Sequence, residues 1–257
     1  MSKIYVDTTR LIDFYEVAED KIVQIEELQK HKSNLVLTDQ TITEFRRNRI
    51  QCISMLYKRL EKIINDDRPQ TVAVVQRLKA FQDLTKLHRE KANEVLEYLK
   101  VLMDDEKNDP VAQGILALAA DKSVQKLETS DAIFNRAQRR KLLGNPPCSP
   151  DKYTIGDEII WELLLGLKDD LIVVTRDKTY EENFPVLVDE YQQVTKHKFL
   201  LVTDKLSEAG EILGEQPTPD LIEAERKRKR RRKLPDSIEH RINEVFFRLF
   251  SEVCSAG

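Results

Sequence analysis

Residues 144–182 read GNPPCSPDKYTIGDEIIWELLLGLKDDLIVVTRDKTYEE. Two apolar elements follow one another here. Ile159, Ile160, Trp161, Leu163, Leu164 and Leu165 surround a helix that starts at Asp157 almost completely, as a helix buried beside a sheet requires. DLIVVT (170–175) is then a β-branched run of strand length. Acidic groups sit at the edges of both: Asp157 opens the helix, and Asp177 lies two residues beyond the strand.

Outward from this stretch the same alternation recurs. KIYVDTT (3–9) predicts a first strand ending at Asp7, and residues 10–32 an amphipathic helix carrying Leu11, Phe14, Tyr15, Ile22, Ile25 and Leu28. NLVLTDQ (34–40) predicts a second strand, followed by a helix from Thr41 to about Ile64. Residues 185–196 predict a helix and KFLLVT (198–203) the fourth strand. Strands alternating with helices define an α/β class with a mainly parallel central sheet flanked by helices. Between about 50 and 143 no convincing strand is visible, so this stretch is expected to be a large helical insertion walling one side of a cleft. Lys58, Arg59, Lys79, Lys86 and Arg89 lie within it. The expected division is a domain over 1–205 and a C-terminal helical region over 206–257. The latter holds a basic helix and a final amphipathic helix with Ile238, Ile242, Val245, Phe246, Leu249 and Phe250 on one face.

The 257 residues are 40% hydrophobic and 34% charged, which allows a true core and many solvated helical faces. No apolar run reaches the ~18 residues of a membrane span, so no membrane role is expected. The N-terminus enters a strand without a signal-peptide pattern, and Cys52, Cys148 and Cys254 stand far apart. Both features lead to the expectation of a reducing, cytoplasmic setting without a zinc framework. The net charge of −3 hides an asymmetry: Arg226, Lys227, Arg228, Lys229, Arg230, Arg231, Arg232 and Lys233 are consecutive cations. Subtracting those eight charges leaves −11 for the rest. A basic run on an acidic body marks either polyanion contact or a solvated helix. In a eukaryotic source the same run would also serve as a nuclear address.

In a parallel α/β sheet the functional crevice lies at the carboxyl ends of the strands. Asp7, Glu44, Asp157 and Asp177 all fall on that edge. Each alone has a structural explanation, since an acid in a first helical turn is favoured by the helix dipole. Four together do not, because crowded carboxylates stay ionised only with a compensating cation. Oxygen ligands select Mg²⁺ or Mn²⁺, and such ions equip a site for phosphodiester hydrolysis.

IYVDTT (4–9), TITEFRRNR (41–49), GDEIIW (156–161) and VVTRD (173–177) resemble, in order, the four acidic motifs of PIN-domain nucleases. The likeness is greatest to the larger PIN-like branch with a helical insertion. There the second acid precedes an Asn-Arg pair, here Asn48 and Arg49. The third follows a Gly-x-Pro-Pro loop with an Asp-Lys pair, here Gly144, Pro146, Pro147, Asp151 and Lys152. The resemblance covers roughly residues 3–205, apart from much of the helical stretch. It implies a PIN-like fold and a metal-dependent nuclease, RNA favoured over DNA. Asp7, Glu44, Asp157 and Asp177 would bind one or two Mg²⁺ or Mn²⁺ ions. Thr9 (where the family often has Asn or Ser), Thr175 and Asn48 would support them, and Arg49 and Lys152 would bind phosphate. Cys148 stands where that branch usually has Gly.

Two other readings compete. A phosphatase of the haloacid-dehalogenase type needs a second Asp two positions after the first-strand Asp, and Thr9 cannot act as that acid. A catalytically inactive scaffold would bind nucleic acid or a protein through the basic run, or pair with a partner or second copy through the C-terminal amphipathic helix. Such a scaffold has no reason to tolerate four mutually repelling acids.

Overall fold

The computed structural model describes residues 2–15, 21–66, 79–148 and 153–233. Five strands form one sheet, all pairs parallel: β1 (Ser2–Val6), β2 (Leu35–Thr38), β3 (Gln125–Leu127), β4 (Asp170–Val174) and β5 (Phe199–Thr203). Their order is β3-β2-β1-β4-β5. Around the sheet stand α1 (Thr8–Ile12), α2 (Lys21–Lys30), α3 (Asp39–Asp66), α4 (Lys79–Asp104), α5 (Pro110–Ala120) and α6 (Asp131–Leu143). They are followed by α7 (Gly156–Leu164), α8 (Lys178–Glu182), α9 (Phe184–Thr195), α10 (Leu206–Ile212) and α11 (Pro219–Lys233). Among the described residues no helix is long and apolar enough to cross a membrane.

The strand pleat divides the core. Ile4 and Val6 of β1 face one cluster, with Leu35, Leu37, Ile172 and Val174 against Leu11, Phe14, Phe45 and Ile115. Tyr5, Val36, Leu171 and Val173 face the other, against Ile160, Trp161, Leu164, Tyr180, Tyr191 and Phe199. Alternate residues of one strand therefore enter opposite layers, as period-two geometry requires. Leu206, Ala209 and Leu221 join the first cluster. Glu225 of α11 accepts the amides of Leu206 and Ser207 at 2.7 and 3.3 Å, capping α10 from outside. Helix α10 and the first turns of α11 thus belong to the same core.

Two expectations need correction. The stretch between 50 and 143 is mostly helical but contributes β3, a three-residue edge strand whose burial alternation is too short to read from sequence. The helix expected over 10–32 is instead α1 from Thr8, a 3-10 turn at Asp13–Tyr15 and α2 from Lys21, with residues 16–20 outside the described ones; in the turn Asp13 takes the buried Arg10 guanidinium at 2.8 Å.

Helices α3 and α4 run antiparallel, and Asp109 fastens them to the domain. Its Oδ1 caps α5 by accepting the amides of Val111 and Ala112 at 2.9 and 3.1 Å. Its Oδ2 accepts Tyr15 Oη and Arg49 Nε, each at 2.6 Å, while Arg49 Nη2 donates to the Leu102 carbonyl. A second hub lies under the loop before α7. Arg140 binds Glu162, Glu190 and the Pro146 carbonyl, and Trp161 Nε1 donates to Glu190 at 2.8 Å. Pro146–Pro147 within that loop is a cis peptide.

Candidate active site

Connectivity reverses between β1 and β4, and in open parallel sheets that reversal opens a crevice beyond the strand ends. Asp7 stands there as the first residue after β1. It occupies the N-cap position of α1 but makes no side-chain capping bond, so its carboxylate is turned to other partners. Oδ2 accepts Thr9 Oγ1 at 2.5 Å and Thr175 Oγ1 at 2.7 Å. Thr175, one residue past β4, also accepts the Asp177 amide at 2.9 Å. One threonine therefore fastens Asp7 and Asp177 across the crevice. No donor among the described residues is assigned to Asp7 Oδ1.

Glu44 arrives from α3. That helix starts at Asp39, earlier than the sequence implied, so Glu44 lies in its second turn. Gln40 Nε2 donates to Glu44 Oε1 at 2.8 Å, and Thr8 Oγ1 to Oε2 at 3.3 Å. Gly156 lets α7 approach this side chain: a Cβ at position 156 would lie 2.2 Å from Glu44 Oε1. Asp157 follows at once, in the first turn of α7, whose N-cap is Ile155 with no side-chain capping bond.

The charges feel one another. Burial first, then the neighbouring Asp157 and Glu44, push the Asp7 carboxyl above its ordinary value, against the opposing pull of the Thr9 and Thr175 hydroxyls. Beneath the acids lie two buried phenols. Burial and then the nearby Asp7 raise Tyr5 well above the ordinary phenol range. Tyr180 is raised by burial and then by Asp157, Asp7 and Asp177 in turn. Four carboxylates from four segments thus surround one region at the C-terminal edge of the sheet.

The expected supporting residues fare differently. Thr9 and Thr175 bind Asp7 directly. Asp177 also caps α8, its Oδ1 accepting the Thr179 amide at 2.9 Å. Asn48 lies one turn beyond Glu44 on α3, half-buried. Arg49 is a correction: only 3% exposed, it is held in the buried ion pair with Asp109 and cannot reach a phosphate at the cleft. Lys152 and Asp151 lie outside the described residues. Cys148 lies beside Glu158 and Lys141, and burial followed by the Glu158 carboxylate pushes its thiol up, away from reactive thiolate. Arg226 pairs with Glu223 at 2.7 Å and Lys227 is half-buried on α11. Arg228, Lys229, Arg230, Arg231, Arg232 and Lys233 continue that helix, with side chains outside the described residues. Lys58 and Arg59 are exposed but lie roughly 20 Å along α3 from Glu44, at the distal end of the hairpin.

Sequence reading missed several residues here. Thr8, Gln40 and Gly156 seat Glu44, and Tyr180 floors the pocket. The available signal was spacing: Gly156 immediately precedes an acid, and Tyr180 falls one helical turn after Asp177.

The donor set is oxygen throughout, which suits a hard divalent cation. The acids are not drawn into a tight triad, however. Among the described residues, the group of three ligand atoms lying mutually within 4.8 Å is Glu27, His31 and Glu215. That group is held by contacts within the protein. His31 Nε2 lies 3.1 Å from Glu27 and Nδ1 3.5 Å from Glu215, and Lys30 occupies the other Glu27 oxygen at 2.9 Å.

A family model described as PIN domain matches residues 4–180, from within β1 to Tyr180. No curated protein and no solved structure matches the chain.

Proposed function

We propose, starting from the fact that this chain belongs to the PIN-domain family, that it is a Mg²⁺- or Mn²⁺-dependent endonuclease acting on RNA. The family supports a nuclease-type fold; metal use, substrate and the residue roles are the proposal. The observation that carries it is the convergence of Asp7, Glu44, Asp157 and Asp177 on one crevice, with Asp7 driven up by burial and by two of its acidic neighbours.

Asp7, Glu44, Asp157 and Asp177 would hold one or two divalent ions. When bound, such an ion activates water and stabilises the charge that develops on a phosphate. The chain's own residues supply the geometry. Thr9 and Thr175 fix the Asp7 rotamer by occupying Oδ2. Gln40 and Thr8 do the same for Glu44 through both of its oxygens. Arg47, exposed on α3 three residues after Glu44, and Lys178, exposed beside Asp177, are the cations placed to meet a phosphate backbone now that Arg49 is accounted for. The basic end of α11 would add sequence-independent affinity. The three well-separated cysteines fit a cytoplasmic setting.

The test is cleavage of single-stranded RNA, structured RNA, and single- and double-stranded DNA with Mn²⁺, comparing wild type with Asp157→Asn. Asparagine keeps the shape and removes one charge. The variant is expected to fold with equal or slightly greater metal-free stability, to lose its thermal response to Mn²⁺, and to lose cleavage. An Asp157→Asn protein that cuts as fast as wild type refutes the metal-site reading. Preferential cutting of DNA would overturn the RNA assignment alone.

A further inference from the structure

Helix α4 carries two apolar faces, and the fold uses one of them. Ala92 and Leu96 are buried, and the helix packs along α3. A second set, Leu84, Leu87, Tyr98 and Val101, is 66, 41, 53 and 46% exposed, so no described element covers it. At 3.6 residues per turn these four fall, together with Lys91 and Glu94, within about 100° of the helix circumference. The steps between them alternate three and four residues, which is the a/d seam of a coiled coil. The seam is roughly 27 Å long. A solvated helical face is polar at such positions. Large apolar side chains aligned there mark an interaction surface.

The order of the residues identifies the partner. About a point midway between Ala92 and Asn93 the seam is symmetric: Leu84 mirrors Val101, Leu87 mirrors Tyr98, and Lys91 mirrors Glu94. Laid antiparallel against a second copy, each apolar group therefore meets an apolar group, and each central lysine meets a glutamate. The parallel sense instead sets lysine against lysine and glutamate against glutamate, and polar residues within a seam select register and orientation in this way. Within one chain Lys91 Nζ already donates to the two Glu94 oxygens at 3.0 and 2.9 Å. Pairing closes these into a ring of four alternating charges. The acids flanking the seam are compensated inside the helix, Glu90 by Lys86 at 3.8 Å and Glu97 by Lys100 at 2.7 Å. A contact in which one residue meets a second, and the second meets the first, is the isologous geometry of a two-fold dimer.

We infer that α4 is a homodimerisation surface, pairing antiparallel with α4 of a second copy through Leu84, Leu87, Lys91, Glu94, Tyr98 and Val101. Helix α3 of each copy then lies outside the pair, and the dimer is independent of the chemistry at the crevice. Six side chains from each copy make a small interface, so a roughly micromolar dissociation constant is expected.

The experiment is sedimentation equilibrium of the full chain over a range of concentrations. Wild type is expected to pass from monomer to dimer. Lys91→Glu and Glu94→Lys each place like charges across the seam twice, and each should weaken the dimer on the order of 100-fold. Mixed in equal amounts, the two variants regain opposite charges at both positions and should form a heterodimer of near wild-type strength. Leu87→Asp should stay monomeric, and should melt like wild type at a dilution where both are monomers, because that side chain is exposed. Leu84→Cys mixed with Val101→Cys should cross-link on mild oxidation, whereas Leu84→Cys alone should cross-link no more than wild type. A wild type that is monomeric at every concentration overturns the inference, whether another segment of the chain or a different protein covers the seam. A dimer that Leu87→Asp and both charge reversals leave intact overturns it too, since that dimer uses another surface. Cross-linking of Leu84→Cys with itself, or charge variants that fail to recover on mixing, refutes the antiparallel register.

Discussion

Gly156→Ala separates the needs of the site from the needs of the fold. The new Cβ would lie 2.2 Å from Glu44 Oε1 and 2.9 Å from Gln40 Nε2. An ordinary contact is about 3.5 Å, so the Glu44 carboxylate must retreat by roughly 1.3 Å and Gln40 must follow. Both are ends of flexible side chains, so the fold absorbs the shift cheaply. Alanine also favours the helical start of α7 over glycine, by up to about 1 kcal/mol. Melting temperature should therefore stay level or rise. The site should not tolerate the change: a reacting group misplaced by about 1 Å loses on the order of 100-fold in rate, or about 2.7 kcal/mol of transition-state stabilisation. The assay is kcat/KM for the best substrate with Mn²⁺, set beside a thermal melt of the same preparation. A Gly156→Ala protein that cuts at the wild-type rate shows that Glu44 does not act at this crevice. One that melts well below wild type shows that the α3–α7 contact is structural and the reasoning fails.

Asp7→Asn should reveal the sign of the strain stored at Asp7. The carboxyl pKa is raised on folding, so the folded protein binds that proton more tightly than the unfolded chain, and stability falls as pH rises from the ordinary value of 3.8 through the raised one. Metal-free Asp7→Asn should thus melt above wild type at neutral pH and converge with it in acid, while Mn²⁺ should reverse the neutral order. A variant that melts below metal-free wild type at neutral pH contradicts this. Deleting residues 228–233 should leave kcat at saturating substrate unchanged but reduce the slope of log K against log salt. The expected reduction is about 0.7 per lost single-strand contact or 0.9 per duplex contact. An unchanged slope would assign the run to a protein partner or to targeting.

Much of this was legible in the sequence because parallel α/β architecture places its chemistry at predictable points. Strand ends are marked by β-branched runs that stop, and Asp7 and Asp177 stand where two of them stop. Asp157 and Glu44 follow from helix starts. What escaped reading depends on distances through space. Three residues at 125–127 carry too little pattern to mark a strand, and only their pairing with β2 makes them one. Gly156 looks like any helix-start glycine until Glu44 is found 2.2 Å from its missing Cβ.

Arg49 shows the same limit. The motif put Arg49 beside an acid and so at the phosphate. What decides its role is where its protons are already held. Arg49 gives them to Asp109 and to the Leu102 carbonyl, supplied by the helical insertion 60 and 53 residues away in sequence. Its charge is used to fasten α3 to the body, and through α3 it fixes the base on which Glu44 is mounted. Removing the charge should therefore weaken the site from behind rather than at the substrate.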